Sequence, residues 1–458
     1  MKTTLVEKKQ DSGNVLALTL IVALVLGLSL VSFITLANGR SSAVSRSQLW
    51  NESLIVSEAG VEDALAYVNK YVGSPNVTNW ISSYSQDNWQ NSGNVYWVTR
   101  YLDTAQTRYY TVYITNGSTG PIIRSTGYVA SPSWVTGGTR ISRTILVGAK
   151  SDTYFNAAMA SLGAINLKGN NIATDSFDSN ATNWPGYWTN TIRLANGDVV
   201  TDDTITNSVL NVGNANVAGN LKTGPSGSVQ IGANGSVGDL PWVDSNTPGI
   251  EPGHYQNDLN VIFKDVVVPT VTWWSPTSAP GDGGAALAPD GKTYDHVFLA
   301  PANGGFYTLR DSGDIYVGTN VFITVRVVNN VGTFAPNNLF VAGSSTNSGK
   351  FVAYVDCPTV NLGTSDQPQS GVAGNMVFMG TPNCTSLNYK GNGDFTGAMY
   401  MPEANFQLAG GGSGTPLDFI GSAVTKSVQM NGHYHFHYDE ALKKWSPGAY
   451  VVASWREL

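Results

Sequence analysis

The residues best placed to do chemistry lie near the C-terminus, where His433, His435 and His437 form H-x-H-x-H. On a strand, alternate residues share a face, so three imidazoles would line up. A zinc-type ion needs that convergence plus a further ligand, which Asp439 or Glu440 would supply. Three same-face positions nevertheless splay along roughly 13 Å, too far for one ion. A capping or hydrogen-bonding role is expected instead, with no metal and no cofactor. Asp175 and Asp178 offer a carboxylate pair of the kind glycoside hydrolysis uses, but Asx-rich turns that bond their own backbone are far commoner. The two cysteines, Cys357 and Cys384, lie 27 residues apart. If that separation is one turn of a coil, the pair sits on adjacent strands about 4.8 Å apart, within reach of a disulfide. Export favours the bridge; two unpaired buried thiols are the alternative.

Nothing else forms a catalytic pattern. There is no phosphate-cradling glycine loop, no Ser/His/Asp order and no Cys/His metal spacing. The expectation is a non-enzymatic protein. A net charge of −7 and a pI near 5.2 argue against a nucleic-acid partner, which requires a basic stripe; none is visible in the sequence.

The elements that would position these residues follow from composition. Charged residues make up only 12% of the 458, about half the usual share. Fifty Gly fill much of the gap, and 21 Tyr with 12 Trp supply apolar bulk. Gly and Asn tolerate the positive φ of tight turns, so many short strands are expected.

The N-terminus differs. No charge occurs from Ser12 to Gly39, and Val15 to Ala37 is almost wholly apolar. About 20 such residues cross a bilayer as a helix. A cleaved signal peptide would have a shorter apolar region, and Thr35-Leu36-Ala37 is a poor cleavage site. Beyond Arg40, Trp50, Leu54, Val61, Leu65 and Val68 recur on one helical face. The helix is therefore expected to run from Asn14 to Lys70, about 85 Å, half in lipid and half docked on a globular domain. Gly73 and Pro75 end the pattern.

A polar leader ending in Gly13, a long apolar helix and Ser57-Glu58-Ala59-Gly60-Val61-Glu62-Asp63-Ala64-Leu65 together resemble the start of PilX-type type IV pilus assembly proteins. The resemblance covers about the first 70 residues and implies cleavage after Gly13. Major pilins carry Glu as the fifth residue after the cut; here that place is Leu18, which implies a minor, accessory protein.

From Asn94 to Ala149 the β-rich runs Val95–Val98, Tyr109–Ile114, Ile122–Arg124 and Arg143–Val147 alternate with turns, as in an antiparallel meander beside a helix. From about Asn156 short strands are punctuated by Gly and Asn. Asp394-Phe395-Thr396-Gly397-Ala398 returns as Asp418-Phe419-Ile420-Gly421-Ser422, and Phe406-Gln407-Leu408 is followed by Val428-Gln429-Met430. A period of 20–25 residues with short strands suits a parallel β-helix. Ile165–Ser179, Ile315–Val325 and above all Phe436-His437-Tyr438-Asp439-Glu440-Ala441-Leu442 resemble a β-helical domain found at the C-terminus of pilus-assembly-like proteins and related to polymer-forming surface proteins. That resemblance implies that Phe436, His437, Tyr438, Asp439 and Glu440 close the domain as a cap.

The expected fold is mainly β: a long N-terminal helix, a small antiparallel sheet and a right-handed parallel β-helix. The expected divisions are a leader (1–13), a transmembrane helix (14–37), an amphipathic helix (38–72), a pilin-like β domain (73–150), the β-helix (151–445) with a surface loop thrown out near 270–293, and a C-terminal tail (446–458). The expected role is a structural or adhesive component of a type IV pilus or pseudopilus, a single-pass membrane protein with its body in the periplasm or at the cell surface. Its partners would be the inner membrane, pilus subunits and surface glycans, not nucleic acid. The alternative is a membrane-tethered β-helix that binds or degrades carbohydrate.

Overall fold

A computed structural model describes residues 12–458 except 71–85, 117–119, 168–170, 203–208, 226, 260–261, 280, 345, 364–366, 392, 411–415, 432 and 446–449. Residues 1–11 of the expected leader and the Gly73/Pro75 stop lie outside the described residues. Two compact units are present: residues 1–152 with 448–458, and residues 153–447.

In the first unit one helix, α1 (Ser12–Lys70), runs unbroken for 59 residues, about 88 Å. Val15, Leu20, Leu26, Phe33 and Leu36 are among its many exposed apolar residues. Further along, Val56, Val61, Ala64, Tyr67 and Val68 are buried against a sheet. Trp50, expected on that buried face, is instead exposed, and Arg143 lies 5.1 Å over its ring.

The sheet is an antiparallel meander, β1 (Gln90–Ser92), β2 (Val95–Tyr101), β3 (Arg108–Asn116), β4 (Pro121–Val129) and β5 (Ile141–Ser151). Burial alternates along β4, with Ile123, Ser125, Gly127 and Val129 turned inward. Two small residues let helix and sheet meet closely. A side chain at Gly60 would strike Ser125 and the Tyr110 ring, and one at Gly127 would strike the α1 backbone at Ser53 and Ser57. The Glu58–Leu65 segment thus has a packing reason: Gly60 admits the sheet, Ala64 is buried, and Asp63 accepts from Arg100 Nε at 2.7 Å and Tyr110 Oη at 3.0 Å.

The expected C-terminal tail is a sixth strand. Tyr450–Glu457 pairs antiparallel with β5, Trp455 facing Val147 and Glu457 facing Ile145, and Arg143 grips the Glu457 carboxylate. The physical reason is the open edge of β5, whose N–H and C=O groups otherwise lack partners.

The second unit is a parallel β-helix: a 21-stranded parallel sheet and a four-stranded parallel one. Phe395–Leu408 lies beside Leu417–Met430, with Phe395 opposite Phe419 and Phe406 opposite Val428, as the repeat requires. Phe395, Phe419 and Phe436 stack with ring centroids 4.6 and 4.1 Å apart. Turn residues tie one coil to the next. Asp394 accepts the Asp418 N–H, Asp198 accepts from Asn220 and Lys222, and Asp314 accepts the N–H groups of Asn337 and Asn338.

Stacking order departs from chain order. Leu417–Met430 packs on Phe395–Leu408 on one side and on Met159–Ser161 and Ile165–Leu167 on the other. Tyr434–Asp439 sits between Leu417–Ile420 and Ala173–Phe177. The strands of 159–256 therefore continue the stack that 296–439 builds, and one seam coil is shared between them. Phe436–Glu440, expected as an end cap, lies inside the stack. Tyr438 Oη donates to Phe155 O at 2.8 Å across this seam. The reason for the difference is plain: strand 434–439 meets a free edge left by the first-made coils, rather than water.

The loop expected near 270–293 is largely exposed, but it is anchored at several points. Trp273 contacts Phe306 and Tyr354 edge-on, Trp274 bridges to Tyr307, and Ala286–Leu287 pairs with Thr293–Tyr294. Just before it Val266 is buried in the core, and Tyr400 Oη donates to Lys264 O. Trp273 and Trp274 thus lie against Phe306–Leu309, the outermost strand at that end, while Val271 and Leu287 stay exposed.

Candidate functional site

Strand register at the seam brings together residues far apart in the chain. Asp418 stands opposite His435, and His437 stands opposite Asp175. His437 is almost fully buried, with Nδ1 2.6 Å from Asp175 Oδ1 and Nε2 3.2 Å from Asp418 Oδ1. Carboxylates only accept, so with both ionised the ring holds both contacts as an imidazolium. Arg193 Nε anchors Asp175 at 2.9 Å while its Nη1 reaches Asp244 at 3.0 Å. Trp188 stacks on His437 with ring centroids 3.7 Å apart. Around this, Glu440 accepts from Ser176 and Asn196.

The electrostatics of the two histidines diverge. Burial disfavours a charged His437, but hydrogen bonds to Asp175 and Asp418 outweigh it and raise its pKa above the ordinary value. His435 is lowered, by burial first and then by His437. Asp439 is raised by burial, although Ser179 and Ala441 donate to it.

Sequence reasoning expected no metal because three same-face histidines spread too widely. The three rings do not converge, but the register adds a different ligand. Two rings and the Asp418 carboxylate from the neighbouring strand place one ligand atom each within 4.8 Å of one another. His433 is outside this group. Asp418 was legible only as the first residue of a repeat, and Arg193 and Trp188 carried no signal.

The other residues that the sequence singles out lie elsewhere. Asp175 and Asp178 do not form a pair over a groove: Asp175 is spent on His437 and Arg193, and Asp178 accepts its own turn's Asn180 N–H. Cys357 and Cys384 are buried free thiols rather than a disulfide. The one-turn spacing is present, since Thr359 pairs with Ser386 and Asn361 with Asn388. The sulfurs, however, face different partners, Cys357 toward Thr359 O and Cys384 toward Met401 Sδ. Gly13 falls in the first turn of α1. Phe436, Tyr438 and Asp439 are buried seam residues.

Residues 303–445 match a family described as a domain of unknown function, DUF7305. No curated protein matches the sequence. Among solved structures, the competence-associated pilin ComZ from Thermus thermophilus is similar at 11% identity and a TM-score of 0.28, covering 89% of this chain and 96% of that one.

Proposed function

We propose that this chain is a membrane-anchored, pilin-like protein of the accessory, PilX-like kind. It serves a structural or adhesive role at a type IV pilus or related pseudopilus, with its β-helix outside the cytoplasm. The observation that carries this reading is α1. An apolar, charge-free half, exposed from Val15 to Leu36, needs lipid or other apolar helices around it, while the second half docks on an antiparallel meander. The partners are the inner membrane and pilus or pseudopilus subunits, with surface glycans as the target for adhesion.

The chain is proposed to have no catalytic activity. Support comes from Asp175 and Asp178, which are committed to the ion-pair and turn contacts given above and so are not a pair open to a sugar. N-terminal sequencing of protein from the native host, together with fractionation of sheared filaments and inner membrane, tests the reading. A mature start at Asn14 and recovery in membrane or filaments are expected. A start near Asn38 with soluble, secreted protein would overturn it, and turnover of a polysaccharide would favour a carbohydrate-active β-helix.

A further inference from the structure

We infer that Asp418, His435 and His437 form a binding site for a divalent transition cation of the zinc class, which braces the seam of the β-helix.

The donor set is the first reason. Two imidazoles and one carboxylate suit Zn²⁺ and leave a fourth position for water. In a tetrahedral site with bonds near 2.0–2.1 Å, donor atoms lie about 3.3 Å apart. The His437 Nε2 to Asp418 Oδ1 separation is already 3.2 Å, and all three ligand atoms lie within 4.8 Å. His435 is only partly buried, so its ring can close the remaining distance. The ion would take the place of the proton between His437 and Asp418.

Support for the first ligands is the second reason, and it stands independently. A metal-binding histidine usually donates its other ring N–H to a carboxylate, which fixes the ring and strengthens the ligand. His437 Nδ1 meets Asp175 Oδ1 at 2.6 Å, and Asp175 is held in turn by Arg193. Trp188 covers the imidazole face. Asp418 keeps about a third of its side-chain surface exposed, which gives the ion a path from solvent. The arrangement spans the seam: Asp418, His435 and His437 belong to the last coils of the chain, and Asp175 to the first. An ion there would join the two through one ligand and its supporting carboxylate.

The test uses untagged full-length protein in detergent micelles, with Co²⁺ as a coloured substitute for Zn²⁺. The expected result is one Co²⁺ per chain, visible ligand-field absorption of a four-coordinate site, displacement by Zn²⁺, and a raised melting temperature of the β-helix. Asp175→Asn should weaken Co²⁺ binding about 10- to 100-fold while keeping the stoichiometry. His435→Gln, a surface-side change that leaves the His437 contacts in place, should remove the absorption without changing the metal-free melting temperature. Absence of Co²⁺ uptake by the wild type at millimolar concentration would overturn the inference. So would His435→Gln and Asp418→Asn variants that both bind like wild type, or loss of the ion on His254→Gln or His296→Gln, which would place it elsewhere.

Discussion

The two units solve strand pairing in opposite ways. Along the meander that covers α1, each strand from β1 to β5 pairs with its neighbour in sequence. Along the β-helix a strand pairs one coil away, 24 residues for Asp394 with Asp418 and 27 for Asn361 with Asn388. At the seam it pairs far across the chain, as when Tyr434–Asp439 meets Ala173–Phe177. The core of the meander lies between sheet and helix, so it depends on close approach across two layers. That of the β-helix lies inside the coil, so it depends on like residues stacking. Yet the C-terminal residues close both: Tyr434–Asp439 fills the seam, and Tyr450–Glu457 covers β5.

The largest effect should come from the stacked phenylalanines. Phe419 is fully buried between Phe395 and Phe436, and Phe419→Ala should cost roughly 3–5 kcal/mol. Thermal unfolding followed by near-ultraviolet dichroism should show the β-helix transition lowered and the meander transition unmoved. A common shift would break the contrast between the units. The reciprocal change is Gly127→Val, which drives a side chain into the backbone of α1 and should cost about 1–3 kcal/mol in the meander transition alone. Partial proteolysis before and after heating assigns each transition to its unit.

Asp356 sharpens the comparison through pH. Burial raises its pKa, but hydrogen bonds from Asn383, Arg326 and Thr381 outweigh it and hold it below the ordinary value. A carboxylate depressed in the folded state contributes stability that is full above its unfolded pKa, about 3.9, and is lost as pH falls through the folded pKa. The β-helix of Asp356→Asn should therefore melt below wild type at pH 7, with the gap closing as pH drops below about 4. A constant gap would mean the role of Asp356 is independent of its charge. Smallest of all, a thiol reagent should label neither cysteine in the native protein and both after unfolding. Burial lies behind this, and it pushes the Cys384 thiol up to about 12.

Much of this contrast was legible in the residues. The charge-free stretch up to Gly39 gave the helix, alternation gave the meander, and the Asp394–Ala398 repeat gave both period and register. The seam was not legible, because Ile165 and Val428 face each other without any shared motif or spacing. Coil length also varies there: Leu417 meets Tyr434, a shorter step than the 24 of the preceding coil. The ligand cluster was hidden for the same reason. Periodicity along one strand told how far apart three histidines lie, but not which carboxylate the next strand would set beside two of them.

The out-of-order stack has a consequence for how such a molecule grows over generations. Both outer faces of the β-helix, near Gly249–Gln256 and near His296–Leu309, are interior to the sequence, while the coils reached from the two termini meet in the middle. Duplicating a coil between Gln256 and His296 would lengthen the stack without disturbing the seam or the strand that closes β5. Adding one at either end of the chain would insert it nowhere useful. Length variation should therefore concentrate in the internal stretch, and a chain shortened from its C-terminus would lose the strand on β5 and then the middle of the β-helix before its tips.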